Sequence, residues 1–132
     1  MEVFNIITLE FLKEANKYFP SHASINCAEA ASAYAAIFDE YTKKEIEEKF
    51  FDTCDVLTRW NVLEDRGSND QTCEFRLTEK GYKIIHSKVN ALETNTTFYE
   101  VIKGYGQKFS ETALTTTVAE FIKRVTEGSN GA

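Results

Sequence analysis

The chain has 132 residues, 42% hydrophobic and 13% aromatic, with a single proline, which excludes a disordered chain and suits one mainly helical domain around one core. Twenty-one acidic against fifteen basic residues give a net charge of −6, which excludes a global attraction to nucleic acid or to an anionic membrane but leaves room for a local basic face. No stretch approaches the roughly 18 apolar residues of a membrane span, and Met1-Glu2-Val3-Phe4 is acidic where a signal peptide is basic, so a cytoplasmic protein without a membrane partner is expected.

The first predicted helix runs from about Thr8 to Phe19, because Leu9, Leu12, Ala15 and Phe19 recur at helical spacing and Pro20 stops it. Asn26, three residues before Glu29, opens an alanine-rich run that ends near Tyr41. Thr42 and Glu45 form a capping box that launches a third helix to about Trp60, with Ile46, Phe50, Cys54, Leu57 and Trp60 on its apolar stripe. The opposite arc holds Lys44, Glu45, Glu48, Asp52, Asp55 and Arg59 and sums to −2. Phe51 flanks that arc, either at the edge of the core or as an exposed aromatic anchor.

After Asn61 the period changes to two. Val62-Leu63-Glu64 and Thr72–Leu77 read as the strands of a hairpin whose polar tip is Arg66–Gln71. Thr78 caps a fourth helix to about Leu92. Two amphipathic segments follow, one on Phe98, Val101, Ile102, Tyr105 and Phe109 with a bend at Gly104 and Gly106, the other on Leu114, Val118, Phe121, Ile122 and Val125. Residues 127–132 are expected to be disordered. The expected organisation is a domain over 1–92, C-terminal helices over 93–126 that serve packing or dimerisation, and that tail.

The order helix, helix, helix, strand, turn, strand, helix over Thr8 to Leu92 resembles a winged helix-turn-helix domain, an α+β fold that is mainly α with a small β-hairpin. Trp60-Asn61-Val62-Leu63-Glu64-Asp65 resembles the end of the third helix and the first wing strand of MarR-like and PadR-like regulators, with Asn61 where those families carry glycine. Phe75-Arg76-Leu77-Thr78-Glu79-Lys80-Gly81 resembles the second wing strand running into a helix. The resemblance implies a transcriptional regulator that binds double-stranded DNA, with contacts at Lys43, Lys44 and Glu48 of the helix and Arg66, Ser68, Asn69, Gln71 and Arg76 of the wing. The C-terminal helices would match the dimerisation helices such families append, so a homodimer through the Leu114–Val125 stripe is expected, or else docking of that stripe on the alanine-rich helix.

The electrostatics depart from that pattern, because Glu45, Glu48, Asp52 and Asp55 dominate the arc that should approach phosphates. A winged helix of this kind also suits a protein-interaction module, an adaptor, inhibitor or immunity-type protein, that presents Glu45, Glu48, Phe51, Asp52 and Asp55 to a basic partner. Catalysis has little footing. His22 and His86 stand 64 residues apart, no hydrolase, zinc-protease or phosphate-loop motif occurs, and Cys27, Cys54 and Cys73, spaced by 27 and 19 residues, fit neither a disulfide framework nor a metal knuckle. The cysteines read as small buried apolar residues, and no enzyme activity, metal or cofactor is expected.

Overall fold

A computed structural model of the chain describes residues 2–104 and 109–131, with the backbone alone for 128–131. Tyr105 and Gly106, expected on an amphipathic stripe and at a bend, and Ala132 of the expected tail lie outside the described residues. In chain order the elements are α1 (Val3–Tyr18), β1 (Ala23–Asn26), α2 (Cys27–Ala35), α3 (Lys43–Arg59), β2 (Leu63–Asp65), β3 (Thr72–Leu77), α4 (Glu79–Ile85), α5 (Phe98–Gly104) and α6 (Glu111–Gly131). The fold is α+β, with six helices and one three-stranded antiparallel sheet of order β1-β3-β2 among the described residues.

Local chemistry accounts for the best-marked boundaries. Thr42 N–H donates to Glu45 Oε1 at 2.8 Å while Glu45 N–H donates to Thr42 Oγ1 at 3.1 Å, so the capping box closes and α3 starts one residue later. Asn26 Oδ1 accepts Glu29 N–H at 3.0 Å and starts α2. Asn61 ends the α3 turn at φ 60°, the left-handed conformation that asparagine tolerates among non-glycine residues. In β3, Cys73, Phe75 and Leu77 face the core and Thr72, Glu74 and Arg76 alternate with them.

The expected hairpin is present, β2 pairing with β3 in the register Leu63↔Leu77 to Asp65↔Phe75, and an unexpected third strand joins it: the four residues of β1 pair with β3 in the register Ala23↔Phe75 to Asn26↔Thr72. A strand this short, with only Ala23 and Ile25 facing inward, leaves no alternation long enough to read, and its partner lies about fifty residues away. Helix α1 begins at Val3 rather than Thr8, since no side chain caps it and Val3 and Ile7 extend its buried face. Helices α2 and α4 stop at Ala35 and Ile85, short of Tyr41 and Leu92, where turns take over the carbonyls of Tyr34 and Ile84.

One core joins α1, α3 and the sheet through Phe11, whose ring lies 6.0 Å from Phe50 and 5.0 Å, edge on, from Phe75. Helix α6 packs on α1, α4 and α5, and Phe98 meets Phe121 edge to face at 5.8 Å. Leu114, Val118, Phe121 and Val125 are buried and Ile122 is half-buried within this single chain. The stripe expected to form a dimer, or to sit on the alanine-rich helix, is thus covered chiefly by α1, α4 and α5, and the reason for expecting a homodimer falls away.

Candidate functional site

Helix α3 buries Ile46, Phe50, Thr53, Cys54 and Leu57 and turns Lys43, Lys44, Glu45, Glu48, Asp52, Asp55 and Arg59 to solvent. Glu45 is occupied by its cap, whose Thr42 N–H holds its carboxyl below the ordinary range. Asp55 pairs with Arg59 one turn on at 3.1 Å, both well exposed. Glu48 and Asp52 have no hydrogen bond or ion pair among the described residues, and neither do Lys43 and Lys44 at the start of the helix. Phe51 is half-buried and packs against the core.

In the hairpin the polar side chains build the turn. Asp65 Oδ1 accepts Ser68 N–H at 3.0 Å, and Ser68 Oγ both accepts Glu74 N–H at 2.9 Å and donates to Glu74 O at 3.2 Å. Asn69 Oδ1 accepts the N–H groups of Gln71 and Thr72 at 2.8 and 2.9 Å, and Gln71 O takes Cys27 N–H at 3.0 Å, tying the tip to the start of α2. Asn69, expected at a nucleic acid, thus spends its side-chain oxygen on the tip, whereas Gln71 is tied to it through its backbone alone.

The arginines are engaged in the same way. Arg66 Nη1 donates to Glu64 Oε1 at 3.0 Å and Arg76 Nη2 to Glu64 Oε2 at 2.7 Å, so one carboxylate holds both wing cations. Arg76, then Arg66, keep the Glu64 carboxyl below the ordinary range, and Ser68 does the same for Asp65. Across Val62 to Leu77 four carboxylates face two arginines, and across α3 five carboxylates face four cations. Each of the two segments thus carries more carboxylates than cations. Beside the hairpin, Ser24 Oγ donates to Glu74 Oε2, and His22 Nε2 lies 3.6 Å from the same oxygen.

No family model, curated protein or solved structure matches the chain.

Three arrangements had no legible signal in the sequence. The first gathers all three cysteines: Cys27 Sγ lies 3.5 Å from Cys73 Sγ, and Cys54 is close enough to perturb the thiols of both. Hydrogen bonds with Cys27 and Cys54, then burial, push the Cys73 thiol up, which keeps it protonated and unreactive. Among the described residues no group of His, Cys, Asp and Glu is arranged to hold a metal ion. The second is a clasp in which Arg124 donates to Ser87 Oγ, Lys88 O and Glu120 Oε2, each at 2.6 Å, and Glu120 accepts Asn90 N–H and Ala91 N–H at 2.9 and 2.7 Å. The third is a ladder of rings from Phe19 through Tyr82 and His86 to Tyr99, with His86 Nε2 3.2 Å from Asn16 Oδ1. His86 is thereby held among rings, and no cysteine stands beside it. No helix among the described residues is long and apolar enough to cross a membrane.

Proposed function

We propose that the chain is a winged-helix protein-interaction module whose α3 and hairpin dock on a basic surface of a partner protein. Three packed helices, a strand that joins the hairpin from the far side, and the order β1-β3-β2 support the winged-helix reading. The observation that carries the choice of partner is Glu64, which engages Arg66 and Arg76 together and leaves the wing no unengaged arginine. On α3, Glu48 and Asp52 carry no pairing among the described residues. Phosphates brought to this face would meet carboxylates that lose hydration and gain no donor, whereas a Lys- or Arg-rich protein surface would find acceptors. Such a face speeds encounter with a cationic partner and repels nucleic acid.

The test is recovery of partners from the native host with and without nuclease, using the wild type and the triple reversal Glu48→Lys, Asp52→Lys, Asp55→Lys, beside a control reversal at Glu93. A nuclease-resistant basic partner that is lost only on the α3 reversal supports the reading. Saturable binding of the unmodified protein to mixed-sequence duplex DNA at about 50 mM salt, weakened by Arg66→Ala and Arg76→Ala, would overturn it in favour of a DNA-binding regulator.

A further inference from the structure

The two edges of the sheet differ in what covers them. At one edge β2 is three residues long, packs against α3 and buries Leu63. At the other lies β1, whose Ala23 and Ile25 are buried while Ser24 is exposed, Asn26 is half-buried and the preceding Ser21 and His22 stand in solvent. Among the described residues β1 has one strand neighbour, β3, and none on its outer side.

Which backbone groups of β1 point outward follows from its register. Cys27 N–H donates to Gln71 O at 3.0 Å, and Cys27 stands opposite Gln71 when the register Ala23↔Phe75 to Asn26↔Thr72 is continued by one residue. Opposed residues of an antiparallel pair alternate between those that exchange hydrogen bonds and those that do not. Ala23 and Ile25 therefore bond to β3, and Ser24 and Asn26 turn their backbone away from it. The Ser24 N–H, the Ser24 carbonyl and the Asn26 N–H have no hydrogen-bond partner among the described residues. Donors two residues apart with an acceptor between them are the pattern that a further strand pairs with.

We propose that β1 accepts an extended, lysine-bearing segment of a partner protein, which joins the sheet as a fourth strand. The main-chain groups select a strand, and the side chains beside them select its charge. Glu74 stands opposite Ser24 on β3, holds the Ser24 hydroxyl and lies 3.6 Å from His22, with no lysine or arginine paired to it among the described residues. A lysine of the added strand, placed beside Ser24, has that carboxylate within reach of its side chain. A second copy of the chain would instead bring its own Glu74 and a net charge of −6 to the same edge. The site lies on the far side of β3 from Glu64 and does not depend on what α3 binds.

The test titrates the full-length, isotope-labelled chain with the peptide Lys-Thr-Val-Thr-Val-Thr-Lys and, in parallel, with the same peptide N-methylated at every internal residue, which keeps the charge and removes the donors. In the chain alone, the Ser24 and Asn26 amides should exchange hydrogen faster than those of Ile25 and Cys27, which bond to β3. The unmodified peptide should produce saturable shifts at Ser24 and Asn26 and slow their exchange, and the methylated peptide neither. Ser24→Pro removes the outward N–H at an edge position where proline is tolerated, and should weaken binding at least about tenfold. Ser24→Ala keeps that N–H, so it folds and binds within about twofold even if the proline variant does not fold. At about 150 mM salt, Glu48→Lys with Asp52→Lys should weaken binding less than Glu74→Gln does. Protected Ser24 and Asn26 amides in the chain alone, equal shifts with both peptides, no saturable shift, full affinity in a folded Ser24→Pro variant, or shifts confined to the outward arc of α3 would each overturn the proposal.

Discussion

On α6, Glu120 and Arg124 stand one turn apart with 14% and 25% of their side chains exposed, and between them they hold the side chain or backbone of Ser87, Lys88, Asn90 and Ala91. On α3, Glu48 and Asp52 also stand one turn apart, exposed, and hold nothing among the described residues. Opposite charges at that spacing support a helix, whereas like charges oppose it by about 0.2–0.5 kcal/mol. The α6 pair is thus explained by the fold. The α3 pair works slightly against the fold, and no contact among the described residues accounts for it.

The sharpest way to test this contrast is to remove one member of the clasp. Arg124→Ala deletes charged hydrogen bonds to Ser87, Lys88 and Glu120 and the guanidinium over the Phe98 ring at 4.9 Å, and should lower unfolding free energy by about 2–3 kcal/mol in urea titration. A loss under about 0.5 kcal/mol, the usual range for surface changes, would erase the distinction between the two helices.

Acid acts on the same clasp. Burial opposes the charged form of Glu120, but the N–H groups of Asn90 and Ala91 and the Arg124 guanidinium outweigh it and hold the carboxyl below its ordinary 4.5. The unfolded chain therefore takes up a proton that the folded chain resists. The clasp's contribution is complete above about pH 5 and falls as pH drops through the folded value. In denaturation curves measured from neutral to acid pH, Glu120→Gln should flatten that acid slope, while Glu48→Gln should not change it.

Thr42→Ala opens the capping box of α3 and should cost about 1 kcal/mol by thermal or urea unfolding. The smallest effect carries the opposite sign: Asp52→Lys replaces a like-charge neighbour of Glu48 with an opposite one and should gain a few tenths of a kcal/mol. In the partner-recovery assay the same variant should retain less of any basic protein that the wild type captures. A variant more stable and less able to bind would show that the acidic arc is retained for contact.

The parts of the fold legible in the sequence rest on neighbouring residues. The Thr42–Glu45 box lies within one turn, the inward set Cys73, Phe75 and Leu77 within one strand, and Asn61 at the turn they bracket, and all three are found where they were expected. What stayed hidden depends on partners far along the chain. Strand β1 is a strand because β3 pairs with it, and the cysteines meet because α2, α3 and β3 converge. The candidate site divides along the same line. The exposed acids of α3 follow from helical period alone, but the engagement of Arg66 and Arg76 by Glu64 follows from the register Glu64↔Arg76, which periodicity does not specify.

Gly81, in the first turn of α4, has a last consequence. A Cβ there would stand 2.7 Å from the carbonyl oxygen of Val62 and 2.9 Å from the Leu77 side chain, while its N–H is already tied to Thr78 Oγ1. Any side chain would have to lever α4 off the base of the hairpin, and the leverage would travel through Lys80, whose ammonium reaches Val125 O on α6 at 3.2 Å. Sequence drift is barred at this one position, whereas the next residue, Tyr82, is free to vary as far as the backbone is concerned. In a library of random variants the boundary between forbidden and permitted substitution should run between these two adjacent codons.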